Sequence, residues 1–294
     1  MADKPKSHIL VRHVAPLVPA ALAVAAHVAT PTTPGLATLT TQSITATKCE
    51  ETADFHACHA NYPTGCSPSG KYDAYLNYLK NQLIPPPAAT TSLQFLSQAD
   101  FRSLDSNTPQ QLGGHANNHG QFKDQLAKLG EGKVFGLLGY LYHAKLSGAE
   151  SSNCELSATD KEGSNVDYHI YVGFDPALAT KLRNKQSLSP EEKKQITQTS
   201  IIVEMTPHDR AAYEQGTWDI TTLEGLYGTQ VRVSGQLMAD SEHNVSGQNC
   251  ALGLTPTCWR ASIWELHPVT GFQLCKDPSN NCAPGSSSWA QLGP

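Results

Sequence analysis

The sequence predicts a mainly β fold with added helix: a small Greek-key β-barrel over residues 131–276, preceded by a small helical region over 49–130. Three observations carry this expectation. Five strand-like runs follow one another from residue 134, the first run is long and broken by glycines, and a helix with clear end signals interrupts the series before it closes. An open α+β sandwich shares the alternation of strand and helix, but a long glycine-bent first strand favours closure.

Taken in chain order, Lys4, Lys6 and Arg12 precede an apolar, small-residue run from Val14 to Ala29, with a step at Ala23-Val24-Ala25. Residues 1–29 therefore resemble a secretory signal peptide. The alternatives are a disordered leader and an N-terminal anchor that is never cleaved. Pro16 and Pro19 interrupt the run, which is short of the roughly 20 apolar residues that span a bilayer, so no membrane span is expected in the mature chain. Residues 30–48, uncharged before Lys48, read as a linker.

Within 49–130, Tyr72, Tyr75, Leu76, Leu79 and Leu83 recur at helical spacing and stop before Pro85-Pro86-Pro87. A second helix is expected from about Gln121 to Leu129, closed by Gly130. His115 and His119 flank Asn117-Asn118 and read as polar residues of a turn. The strands expected next are Val134 to Leu146, Val166 to Phe174, Ser200 to Thr206, Gln230 to Ala239, and Arg260 to Cys275 with a break at Pro268. Ser189-Pro190-Glu191-Glu192 opens a helix between the second and third of these. Residues 208–227 hold room for another short helix, and 277–294 read as a loop or disordered tail.

The net charge is −5 over 294 residues, and removing residues 1–29, with three bases and one acid, takes it to −7. General electrostatic binding to nucleic acid needs a basic face and is not expected here. Eight cysteines, an even number, suit disulfides in an oxidising compartment, so the expected location is secreted, periplasmic or cell-surface. Cys250 and Cys258, and likewise Cys275 and Cys282, are near enough in sequence to pair locally. Cys49, His56, Cys58, His59 and Cys66 offer zinc-type donors, but their spacing matches no standard finger. No GxSxG elbow, Walker loop or GxGxxG is present.

Chemistry is concentrated in four segments of the second half: Asp167-Tyr168-His169, Glu204, Asp240-Ser241-Glu242-His243, and Glu265-Leu266-His267-Pro268. Residues two apart on a strand share a face, so Asp167 points with His169 and Glu265 with His267. The metal reading takes His169, His243 and His267 as ligands of a divalent ion, zinc being the first choice. Glu204 or Glu265 is then a fourth ligand or general base, and Asp167 or Asp240 orients a ligand histidine. Without a metal, the same residues form a His/Glu acid–base pair, or simply tie strand ends to loops. Tyr171 and Trp264, with neighbouring aromatics, are candidate ligand-stacking residues or ordinary barrel aromatics.

Residues 130–275 resemble a group of uncharacterised, mostly bacterial proteins with an OB-fold-like domain. The resemblance is carried, in order, by Gly139-Tyr140-Leu141 with Ala144, by Asn153-Cys154, by Asp167 to Ile170 (DYHI), and by Ile202 to Pro207 (IVEMTP). It continues through Val231 to His243 and Trp264 to Thr270 (WELHPVT), while the insertion bearing Cys250 and Cys258 departs from shorter members. It implies an OB-like barrel and no settled activity. Two functions follow as expectations: a metal-assisted hydrolase, with phosphodiesters as a candidate substrate class, or a non-catalytic module for a glycan, oligonucleotide or protein partner. A structural envelope role is a third.

Overall fold

Alternation of apolar and polar residues underlies a sheet of seven strands among the described residues, five of which close on themselves. In the computed structural model the described residues are 44–87, 93–114, 117–214 and 218–292. The leader expected over 1–29 and most of the linker lie outside them. The strands are β1 (Phe95–Leu96), β2 (Val134–Leu146), β3 (Tyr168–Gly173), β4 (Ile201–Met205), β5 (Gln230–Ala239), β6 (Trp264–Cys275) and β7 (Trp289–Gln291). Hydrogen bonding runs β2-β3-β4-β6-β5 and returns to β2, a closed five-stranded barrel.

The length of β2 makes closure possible. Its first half, Val134 to Tyr140, pairs antiparallel with β5, and its second half, Tyr140 to Leu146, pairs with β3. The changeover is tight. A Cβ on Gly139 would lie 2.5 Å from Val172 Cγ1 and 2.7 Å from the Gly173 carbonyl, so only glycine lets the strands approach there. β4 and β6 close the barrel through a parallel pairing of Val203 with Leu266. β1 lies parallel along the other edge of β2 beside Gly136 and Leu137, and β7 extends β6.

Strand periodicity sorts residues into two faces. Leu137, Leu141, Ile170, Val172, Ile201, Val203, Met205, Val231, Val233, Leu237, Trp264, Leu266 and Phe272 form the buried apolar interior. Their neighbours in sequence point outward, and part of this outer face is buried too. Helices α1 (Phe55–Asn61) and α2 (Ala74–Lys80) come from the N-terminal region, and Leu76 and Leu79 of α2 pack on Met238 of β5. Between β3 and β4, α3 (Pro176–Arg183) and α4 (Pro190–Gln198) supply Leu178, Ala179 and Ile196, which pack with Tyr171 and Ile202.

Several expectations shift in detail. The helix expected at Tyr72–Leu83 is α2, capped by the Asp73 carboxylate and ended at Asn81. The helix expected at Gln121–Leu129 runs His119–Leu129 and ends on Gly130 in the left-handed conformation at φ 111°. His119, expected in a turn, is the first residue of that helix and fully buried, its ring between Ser241 and Glu131. Two helices occupy the β3–β4 connection where one was expected; the signal for the first, Asp175 as cap before Pro176, stands in the sequence. β6 continues through Pro268, because its register on β5 shifts between Gly235 and Leu237 and asks no N–H of the proline. The tail carries β7, and Cys282 returns to bond Cys275.

Disulfides Cys250–Cys258 and Cys275–Cys282 close local loops, and Cys58–Cys154 ties α1 to the turn that follows β2. Cys49 and Cys66 are buried free thiols. Three disulfides suit an oxidising, extracellular setting. Among the described residues no helix is long and apolar enough to cross a membrane.

Candidate metal centre

The outer face of β3, β4, β5 and β6 gathers the polar residues that alternate with the interior. Asp167 and His169 come from β3 and the residue before it, Glu204 from β4, Asp240 from the end of β5, and Glu265 with His267 from β6. His169 and Glu204 are direct register partners across the β3–β4 ladder. The pairing of Val203 with Leu266 then sets Glu204 beside Glu265 and His267. Asp167, Asp240, Glu265 and His267 are fully buried, and Glu204 nearly so.

Glu204 stands at the centre. Its Oε1 lies 3.2 Å from His169 Nε2, and its Oε2 lies 3.2 Å from His267 Nδ1. Glu150, in the loop after β2, puts Oε1 3.4 Å from His169 Nε2 and gives Oε2 to Lys80 Nζ at 2.9 Å. On the other side, His267 Nδ1 contacts Glu265 Oε1 at 3.1 Å, and Nε2 faces Asp167 Oδ2 at 3.7 Å. Glu265 bonds the guanidinium of Arg260, which also donates to Asp240, and Asp240 accepts from His243. Nine charged or titratable groups thus form one chain from Lys80 to His243, and Asp167 branches from it at His267.

Two sets within this chain are close enough together that each could hold a metal ion. Glu150, His169 and Glu204 form one, and Asp167, Glu204 and His267 the other, each with its donor atoms within 4.8 Å of one another. Asp167 Oδ2, both ring nitrogens of His169, Glu204 Oε2 and His267 Nε2 are buried without any hydrogen-bond partner. The close approaches among them lack the alignment of a hydrogen bond. A buried polar atom left unpaired costs about 1–3 kcal/mol, so five in one cluster are a feature that the fold alone does not explain.

The electrostatics show the same need for positive charge. Burial works against the charged form of His169, but Glu204 and Glu150 outweigh it and hold the imidazole up at about 10. His267 is likewise opposed by burial yet raised well above its ordinary value by Glu204, Glu265 and Asp167. Burial and the neighbouring Glu150 push Asp167 up to about 6. Burial also opposes the ionised form of Glu204, which its two imidazoles nonetheless hold well below the usual carboxylate range. In the metal-free chain the surrounding carboxylates therefore favour the protonated form of both imidazoles. A metal ion would take their place as the counter-charge and release their protons.

The remaining candidates lie elsewhere. His243 belongs to neither ligand set; it sits in a 3₁₀ turn after β5, bonded to Asp240 with its ring edge-on to Trp259. Tyr171 is buried on the outer face among residues of α3 and α4, and Trp264 is buried in the barrel interior, its indole N–H donating to Thr108 Oγ1 at 2.8 Å. Neither ring offers a face to solvent.

Sequence reasoning missed Glu150, Lys80 and Arg260. Glu150 is in a loop, where no periodicity speaks. Lys80 follows the apolar stripe of α2 at the i+4 position from Leu76, a basic residue on a buried face, and that was a usable signal. Arg260 lies in the connection between β5 and β6, where strand periodicity gives no direction. The centre is approached from a cavity of about 370 Å³, whose lining includes Lys71, Tyr72, Asn77, Lys80, Glu150 and Glu242.

No protein-family model, curated protein or solved structure matches the chain.

Proposed function

We propose that the protein binds a divalent cation, zinc being the first choice, at Glu150, His169 and Glu204, and uses it in hydrolysis. The observation that carries the reading is the set of unpartnered buried donors, because a cation satisfies them together where hydrogen bonds do not. Two carboxylates and one imidazole leave coordination positions open for water, as catalytic metal sites do, and a bound metal lowers the water's pKa toward 7. Glu150 lies at the cavity edge, so substrate and water have a route to the ion. A bound divalent ion would supply the positive charge that an anionic substrate needs, and phosphodiesters are the class to try first. Glu265 is a positioning group in this scheme, fixing His267 through Nδ1 while Arg260 fixes it in turn.

Export to an oxidising compartment fits the disulfides, and membership in the OB-like group rests on the shared signature; both belong to this proposal. The test is purified full-length protein, stripped with chelator and reloaded with Zn²⁺, then assayed on bis(4-nitrophenyl) phosphate. Retained metal, turnover that chelator abolishes, and loss of both in His169→Ala are expected. A folded protein that retains no ion at any loading would sink the reading, and retention without turnover would remove the hydrolytic half of it.

A further inference from the structure

Glu204 presents a different oxygen to each histidine. Oε1 faces His169 and Oε2 faces His267, each at 3.2 Å. The carboxylate thus joins two ligand sets that each contain one imidazole and one further carboxylate, Glu150 on one side and Asp167 on the other. We infer that the centre is dinuclear, with Glu204 as the bridging carboxylate between two divalent ions. This rests on the metal-binding reading above and extends it from one ion to two.

Three independent features support a second ion. The first is the distribution of unpartnered atoms. One ion at Glu150, His169 and Glu204 leaves Asp167 Oδ2 and His267 Nε2 still unsatisfied, and those two atoms already face each other at 3.7 Å. An ion between them and Glu204 uses both. The second is the way the outer nitrogens are held. His267 Nδ1 lies against both Glu265, which Arg260 anchors, and Glu204 Oε2, so Nε2, which faces Asp167, is the nitrogen left for a metal. A carboxylate on one imidazole nitrogen with a metal on the other is how ligand histidines are commonly oriented.

The third is charge. Glu150, Asp167, Glu204, Asp240 and Glu265 are five carboxylates in contact with one another's partners, and Lys80 and Arg260 are the only permanent cations among them. With neutral ligand histidines, a single divalent ion leaves an acid excess in a buried site, and two remove it. Three carboxylates and two imidazoles, one carboxylate shared, come one carboxylate short of the four-carboxylate, two-histidine set that holds paired metal ions in helical bundles. A pair of ions about 3.5–4 Å apart clamps the attacking and leaving oxygens of a displacement at phosphorus, which is the substrate class proposed above.

The experiment is metal counting on the full chain, stripped and reloaded separately with Zn²⁺ and Mn²⁺, then freed of excess by gel filtration. Two ions per chain are expected by elemental mass spectrometry, falling to one in Asp167→Asn and to one in Glu150→Gln. For the Mn²⁺ form, electron paramagnetic resonance should show an exchange-coupled pair. One ion per chain with an isolated six-line Mn²⁺ signal overturns the dinuclear assignment while leaving the single-ion reading intact. No retained ion overturns both. The wild-type count needs no variant to fold, so it decides the matter even if a substitution proves destabilising.

Discussion

The two faces of the same barrel strands are built on opposite principles. On β4, Val203 and Glu204 are adjacent in sequence; one enters an interior that is entirely apolar, and the other enters an equally water-poor layer made of charges. The interior is stabilised by removal of apolar surface from water, which is non-directional and tolerant of small changes. The outer layer holds together only while every charge has its counter-charge, because a buried ion left alone is far more costly than a missing methyl group. A fold has little to gain in stability from such a layer, since well-packed apolar side chains in its place are often neutral or better. Its presence on four strands is what the proposed metal centre accounts for.

The contrast can be broken most severely at Arg260. Replacing Arg260 by Met leaves Asp240 and Glu265 buried without their cation, and equilibrium urea unfolding should show a loss of about 3–5 kcal/mol. A loss below about 1 kcal/mol, the range of exposed pairs, would mean the layer is solvated and the two faces are not so different.

Leu266→Ala, one residue from both Glu265 and His267 but pointing inward, should cost about 2–5 kcal/mol of stability. Metal retention should be unchanged. Equal damage to metal binding would show that the faces are coupled and would remove the basis for treating them separately.

A smaller and more selective effect is expected from Glu265→Gln. It keeps the shape of the side chain but weakens its hold on His267 Nδ1, so metal affinity measured by competition with a chromophoric chelator should fall about 10–100-fold. Thermal stability of the metal-free protein serves as the control for folding.

The mildest perturbation is pH. His169 has a folded-state pKa raised to about 10 by Glu204 and Glu150 against the opposing effect of burial. A raised pKa means the folded state binds its proton more tightly, so this stabilisation is complete below about 6.5 and is lost as pH rises through about 10. The melting temperature of the metal-free protein should therefore decline across that window, and the metal-loaded protein, with its imidazole already deprotonated, should not follow it. His59 runs the other way. Burial first, and then the stacked His208, lower it to about 4, so its contribution is present above about 6.5 and is lost as pH falls toward 4.

Much of the barrel was legible because period-two alternation writes both faces into each strand. Val166 to Phe174 and Gln230 to Ala239 announce themselves this way, and Gly139 marks the close approach that closure requires. Asp167, His169, Glu204, Glu265 and His267 could be picked out from their types and strand positions. Their convergence depended on the parallel pairing of Val203 with Leu266, a non-local contact that no local pattern specifies. His243 shows the limit. It has the same residue type and an adjacent acid, yet it lies beyond the end of β5, in a turn beside Trp259 of the β5–β6 connection, where strand periodicity no longer dictates direction. Glu150 and Arg260 escaped notice for the same reason, since both come from connections. Tyr171 and Trp264 illustrate a different blindness: an aromatic on a strand reads alike whether a helix covers it or not.

The claim that the outer polar layer exists to hold metal is tested most directly by diffraction from crystals of the zinc-loaded protein at the zinc absorption edge. The account predicts anomalous density against Glu204, within bonding distance of His169 Nε2 and on the cavity side of Glu150. An ordered structure from zinc-saturated protein with no anomalous peak there, and with Glu204 still joined directly to both imidazoles, would contradict it.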